Sequence, residues 1–301
     1  MPRMTSRDVE NRRRDLVGSY LLPIVGLLLA LASPPAHAQT PTCAGLSGDH
    51  EFLAAQLLAT QHVYDCCDDS IANCLQQKPT CSLAFRLSEN VCRRVAEGQP
   101  KAQIVEALRR RAENARPGRR TVEIDLSGLS VAGDASAAIT LAEYACPRCP
   151  YCARMTPWVH EAVVNGPLAG KVKLYLKTFP LRGHWGSKES GLAFLAAQEL
   201  GHFWDFVLYY YAHFDEFSIS KQPAWAKAVG MDPEAFQKEM DDPGVRQSLV
   251  DIKREGIRNG VDATPTYFVN GRKYEAELSL AELIDVLEED FDKIEGIRYR
   301  Q

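Results

Sequence analysis

Cys146-Pro147-Arg148-Cys149-Pro150-Tyr151-Cys152 is the stretch on which the reading of this chain turns. It holds two overlapping Cys-x-x-Cys motifs. In a redox centre of this type the first cysteine stands where a helix begins, so that free amide N–H groups and the macrodipole stabilise its thiolate. The second lies one turn on, close enough to close the disulfide. A permanent staple is the alternative, but a bond across two residues closes a very short loop and constrains the unfolded chain little. The run also has iron–sulfur spacing, yet the fourth ligand of that pattern would fall on Thr156, so no metal is assigned.

Working outward, residues 138–144 (A-I-T-L-A-E-Y) read as a strand leading into the cluster, and residues 122–125 as a shorter strand before it. A helix follows over about 149–165, then an alternating strand over 171–178 (K-V-K-L-Y-L-K-T). A helical block occupies about 187–259. Residues 266–269 and 272–275 flank Asn270-Gly271, the sharpest hairpin signal in the chain. Ser279-Leu280-Ala281-Glu282 is a capping box for a last helix running to about Ile294. Strand, helix, strand, long helical insertion, hairpin, helix is the order of an α/β thioredoxin fold with an inserted helical subdomain.

The second half resembles the DsbA-like branch of the thioredoxin superfamily. Residues 139–144 lead into Cys149-Pro150-Tyr151-Cys152 at the distance that family keeps between its central strand and its active pair. Thioredoxin-like proteins carry a helix-kinking proline five residues after the second cysteine. Pro157 stands five after Cys152, whereas the same count from Cys149 reaches Arg154. The resemblance implies Cys149 as nucleophile and Cys152 as resolving thiol, with Pro150 and Tyr151 tuning the pair. It implies that Thr264-Pro265 is a cis-proline loop offering its backbone to a substrate peptide as an added strand. Glu143, on the strand face of Ile139 and Leu141 by period two, would be the buried acid that moves protons for Cys152; a surface Glu at a strand end is the plain alternative. Lys177, on the next strand, is expected to be exposed, a pairing with Glu143 being the alternative, and His184 to be a structural or surface residue. The aromatic residues from Phe203 to Phe214 are expected to pack the insertion. Cys146 departs from the family pattern. It is a candidate third redox thiol, a partner for a cysteine of the first half, or a free thiol.

The first half is rich in cysteine. Of nine cysteines in 301 residues, six (Cys43, Cys66, Cys67, Cys74, Cys81, Cys92) precede residue 115, and three disulfides among them allow fifteen connectivities. The neighbours Cys66 and Cys67 are poorly placed to bond each other. Helical periods begin near Asp49, which can cap the first of them, near Ser82, with Leu83, Leu87, Val91 and Val95, and near Pro100, with Ile104, Val105 and Leu108. The last runs into Arg109-Arg110-Arg111, cations that suit a helix C-terminal end. The cysteine pair, Ser70-Ile71-Ala72, Ala84, Leu87, Val91, Val95, Gly98, Ile104, Leu108 and Arg111 are distantly similar to the helical CcmH-type domain of cytochrome c maturation. That family has its own Cys-x-x-Cys, while Cys66 and Cys67 are contiguous, so the expectation is a small all-α module stapled by disulfides.

Arg12-Arg13-Arg14, the apolar run 16–32 and Ala36-His37-Ala38 have the three parts of a secretory signal peptide, with cleavage expected after Ala38. The expected organisation is therefore a signal peptide (1–38), a cysteine-rich helical domain (39–115), a linker (116–120) and a DsbA-like domain (121–301) with its insertion at about 187–259. A net charge of −4 gives no reason to expect a nucleic-acid partner. These readings together describe a periplasmic or secreted thiol–disulfide oxidoreductase acting on cysteines of exported proteins. The resemblance implies no cofactor and a membrane redox partner that resets the pair. A reductase or isomerase of the same fold is the near alternative, and a non-catalytic binding module or chaperone the distant one.

Overall fold

The computed structural model describes residues 42–300, so the signal-peptide reading, including Ala38, lies outside the described residues. Among these, no helix is long and apolar enough to cross a membrane. The chain opens with α1 (Asp49–Thr60), α2 (Ile71–Gln76), α3 (Ser82–Ala96) and α4 (Lys101–Asn114). Leu83, Leu87, Val91 and Val95 lie one turn apart along α3, and all four are buried with Leu57, Ile71, Ile104 and Leu108 in one cluster. The six cysteines pair as Cys43–Cys92, Cys66–Cys81 and Cys67–Cys74, with Cα separations of 4.9, 5.7 and 6.0 Å. The adjacent Cys66 and Cys67 thus bond apart from one another. Asp49 is the first helical residue rather than the cap of α1; Gly48 holds that position at φ 58, where a side chain would be strained.

The sheet that carries the site has four strands. β1 (Thr80–Cys81) pairs only with β6 (Tyr299–Arg300), bringing the last residues back to the cysteine-rich helices. The main sheet runs in the order β3 (Val172–Thr178), β2 (Ile139–Ala145), β4 (Thr266–Val269), β5 (Arg272–Lys273). β2 and β3 are parallel, joined by α5 (Pro150–Val164), and β4 is antiparallel to β2. Asn270 and Gly271 both take positive φ, 47° and 79°, as a two-residue hairpin turn requires. Residues 122–125 do not form the expected strand. A single bridge joins Thr121 to Arg272, and Val122 N–H donates to Gly271 O (2.9 Å), after which the segment leaves the edge.

One face of the sheet is covered by α5 and α11 (Leu280–Ile294), with Ile139, Leu141, Val159, Val163, Leu283 and Leu287 buried between them. The other face packs Tyr144, Phe179 and Phe268. The insertion consists of α6 (Ser187–Glu199), α7 (Phe203–Ala212), α8 (Gln222–Ala228), α9 (Pro233–Asp241) and α10 (Pro243–Arg258). Phe194, Phe203, Phe206, Tyr210 and Tyr211 pack edge to face in its core, in the cluster that also holds the three free cysteines.

α3 and α4 meet α11 through a seam of buried charge. Arg94 reaches Glu282 and Glu277 at 2.8 Å each, and Arg111 reaches Glu289 at 3.1 Å. Arg86 bridges Glu288 (2.8 Å) and Asp292 (2.6 Å). Of Arg109–Arg111, expected at the C-terminal end of their helix, Arg111 stands in its last turn, and its side chain is fully buried in this seam. The capping box of α11 is half formed. Ser279 Oγ accepts the Glu282 N–H, but the Glu282 carboxylate turns to Arg94 and to Asn90 (2.6 Å).

Candidate active site

Cys149 is the N-cap of α5 and Pro150 its first residue, a position where a missing N–H costs nothing. The Cys149 sulfur is 3% exposed and Cys152, one turn along, is fully buried. The two thiols are polarised in opposite directions. The Cys152 thiol, the amides of Cys152 and Tyr151 and the Thr264 hydroxyl all favour the Cys149 anion, and against its partial burial they bring the thiol down from 9.0 to about 5. Burial first, and the hydrogen bond given to Cys149 second, hold Cys152 well above the ordinary thiol range. The site thus favours the anion of one sulfur and the protonated form of its partner.

Thr264 faces this pair from the other side. Its peptide bond to Pro265 is cis, and its carbonyl oxygen accepts from the Cys149 thiol at 3.3 Å. Thr264 Oγ1 is buried with no hydrogen-bond partner and lies close enough to the sulfur to favour its anion. Pro150 and Tyr151, between the cysteines, are both exposed, Tyr151 by 58%.

Glu143 lies beneath the pair and is completely buried. Thr156 donates to its Oε1 at 2.6 Å and Tyr267 at 3.3 Å, while Oε2 has no partner. Desolvation dominates these bonds and raises the carboxyl from 4.5 to about 7. The exposed-lysine expectation for Lys177 is overturned, although not in favour of Glu143. Lys177 is paired in register with Tyr144, so it points to the opposite face, where it is buried and bridges Glu255 at 2.8 Å.

Cys146 ends up close to His184, a contact the sequence reading missed. Its sulfur is 3.3 Å from His184 Nδ1, and its carbonyl accepts the Cys149 N–H at 3.0 Å. It pairs with no cysteine of the first half, all six of which are bonded to one another. Arg148 was also missed: its guanidinium lies between the rings of Phe214 and Phe217, 4.2 and 4.1 Å from their centroids, and donates to Phe214 O. No spacing announces either contact, since both cross from the cysteine loop to the insertion. Thr156 was within reach of the sequence. It follows Cys149 and Cys152 at i+7 and i+4, the same helix face.

The comparisons agree with this architecture. A family model described as thioredoxin matches residues 127–289, more than half of the chain, and the chain belongs to the thioredoxin family. The solved structures it is similar to include alpha-DsbA1 from Wolbachia pipientis (19% identity, TM-score 0.50, covering 58% of this chain and 96% of that one). A thioredoxin-like oxidoreductase from Silicibacter pomeroyi DSS-3 gives 23% identity and a TM-score of 0.47 over 55% of this chain and 92% of that one. At 19% identity the likeness to alpha-DsbA1 speaks to the fold alone. Among curated proteins, a Na(+)/H(+) antiporter NhaA 1 from Mycolicibacterium gilvum is 32% identical over 162 residues, 52% of this chain and 26% of that protein. The chain spans about a quarter of the length of the curated relatives it matches.

Proposed function

We propose that this protein is an exported thiol–disulfide oxidoreductase that exchanges disulfides with cysteines of other exported proteins through Cys149 and Cys152. The observation that carries the reading is the opposite polarisation of the two thiols, Cys149 down to about 5 and Cys152 well above the ordinary range. That asymmetry suits a nucleophile and a resolving thiol, and a permanent staple has no use for it. In the oxidising direction a substrate thiolate attacks Cys149 Sγ, the Cys149–Cys152 bond breaks, and Cys152 leaves with the electron pair. Glu143, poised near neutrality, supplies the proton that Cys152 takes up. A second substrate thiol then attacks the mixed disulfide and frees Cys149 as its stabilised anion. Thr264, with its cis bond to Pro265 beside the sulfur, holds the visiting backbone.

No cofactor enters these steps, and a membrane redox partner returns the pair to its working state. Export is supported by the leader-like first 38 residues and by three disulfides among the six N-terminal cysteines. The experiment is refolding of a reduced, cysteine-containing substrate with the wild-type chain and with Cys149→Ser. Loss of exchange in the variant supports the enzyme; equal activity in both leaves only a binding module or chaperone. The potential measured against glutathione sets the direction, an oxidising value marking an oxidase and a strongly reducing one a reductase or isomerase.

A further inference from the structure

The active-site loop contains a third sulfur that the exchange mechanism does not use. Cys146 is not an isolated cysteine. Cys146 and Cys149 are the ends of a turn, closed by the Cys149 N–H on Cys146 O at 3.0 Å. The ends of a β-turn have their Cα atoms within about 7 Å, and a disulfide needs about 4.4–6.8 Å. The Cys146 sulfur is fully buried, which keeps bulk oxidants and large substrates away from it and leaves Cys149 as the disulfide-forming partner nearest in the chain. It also has what a buried thiol needs in order to react. Burial raises the Cys146 thiol's pKa, an effect the backbone at Leu181 and Arg148 only partly offsets, so the thiol needs a base, and His184 Nδ1, 3.3 Å away, can take its proton. The Lys253 ammonium, bonded to Pro180 O at 2.9 Å, adds positive charge on the same side.

We propose that Cys146, with His184 as its base, is a second resolving thiol that attacks Cys149 and moves the disulfide to Cys146–Cys149. In the step, the Cys146 proton passes to His184 Nδ1 and the sulfur attacks Cys149 Sγ of a substrate mixed disulfide. The Cys146–Cys149 bond forms as the Cys149–substrate bond breaks, and the substrate sulfur departs as a thiolate with the electron pair. Cys146 rises from thiolate to the disulfide level, the substrate sulfur falls from disulfide to thiolate, and Cys149 stays at the disulfide level throughout, so no outside oxidant is needed. Cys152 can then attack Cys149 and expel Cys146, restoring the Cys149–Cys152 bond. One disulfide is thereby shared among three sulfurs, and a substrate stalled on Cys149 has two exits.

The inference rests on the proposed exchange at Cys149, and the test reads the two separately. The full chain carrying Cys152→Ser, with its three N-terminal disulfides intact, is mixed with dithiobis(nitrobenzoate). Attack by Cys149 releases one coloured thiolate and leaves a mixed disulfide; attack by Cys146 on that bond releases a second. The expected result is two equivalents from Cys152→Ser and one from Cys146→Ser/Cys152→Ser. No release at all would sink the proposed function, whereas one equivalent from Cys152→Ser would sink only the third thiol. Tryptic mapping fixes the bond, because cleavage after Arg148 separates residues 121–148, which contain Cys146, from residues 149–154. The Cys146–Cys149 disulfide must appear as a link between these two peptides, and a second nitrobenzoate adduct on Cys146 in its place overturns the proposal. His184→Asn in the Cys152→Ser background is expected to slow the second release on the order of 100-fold while leaving the first unchanged. Equal second phases would remove His184 as the base.

Discussion

Replacing Thr264 by valine removes one hydroxyl and keeps the shape and the backbone carbonyl. That hydroxyl is buried without a hydrogen-bond partner and favours the Cys149 anion, to which it can donate. A hydrogen bond to a charged group contributes about 1.5–3 kcal/mol, and about 1.4 kcal/mol corresponds to one pH unit. The midpoint of the Cys149 alkylation curve, expected at about pH 5 in the wild type, should therefore rise by about 1–2 pH units in Thr264→Val. A depressed folded-state value stabilises the reduced form fully above the ordinary thiol range, and the stabilisation is lost as pH falls through about 5. At pH 7 the wild-type anion thus contributes about 3 kcal/mol, or about 60 mV for two electrons. The variant should lose about 30–50 mV of that, becoming less oxidising. The assay is the rate of iodoacetamide labelling against pH, read by mass spectrometry, together with a glutathione titration. An unmoved midpoint would refute the assignment of the Thr264 hydroxyl as a donor to the anion.

Glu143→Gln should stabilise the oxidised protein above pH 7 by up to about 3 kcal/mol while slowing exchange. A raised carboxyl value costs nothing below the ordinary range and accumulates its cost as pH rises towards about 7. Denaturant midpoints at pH 5 and pH 8 check this, and a variant no more stable than wild type at pH 8 contradicts it. Arg111→Met removes the buried guanidinium from Glu289, which keeps only the half-exposed Lys293 as a cation, while Glu282 keeps Arg94. It should cost about 3–5 kcal/mol in urea unfolding; a loss below 1 kcal/mol would show that the seam relaxes freely. Removing the N-terminal disulfides one at a time should destabilise in order of loop length, Cys43–Cys92 (49 residues) before Cys66–Cys81 (15) before Cys67–Cys74 (7). The chain-entropy difference between first and last is about 2 kcal/mol, and melts of the three paired Cys→Ala variants would show a different order if that account fails.

The fold was legible wherever period and turn chemistry act locally. The α5 helix begins where the second Cys-x-x-Cys motif begins, Asn270-Gly271 turns the hairpin, and the four-residue spacing of Leu83 to Val95 buries one stripe of α3. Strand parity placed Glu143 correctly because Ile139 and Leu141 share its face. Lys177 was misread for a related reason: its surroundings depend on the register with β2, and register is not written in one strand alone. Residues 122–125 have strand composition, yet their neighbour across the edge, β5, is only two residues long and supports a single bridge. The fate of Arg111, Glu282 and His184 is set by groups 38 to 188 residues distant in sequence. A sequence read by periodicity cannot see such partners, and at His184 this hid the contact that gives Cys146 chemical meaning.

The charged seam sorts its members by origin. The guanidinium groups that cross it come from Arg86, Arg93, Arg94 and Arg111, and the carboxylates that meet them come from residues 277–292. Were the chain nicked between residues 115 and 121, each fragment would present a stripe of a single sign, cationic on one and anionic on the other. Two such fragments are electrostatic complements, able to find each other again at low ionic strength and held apart by salt.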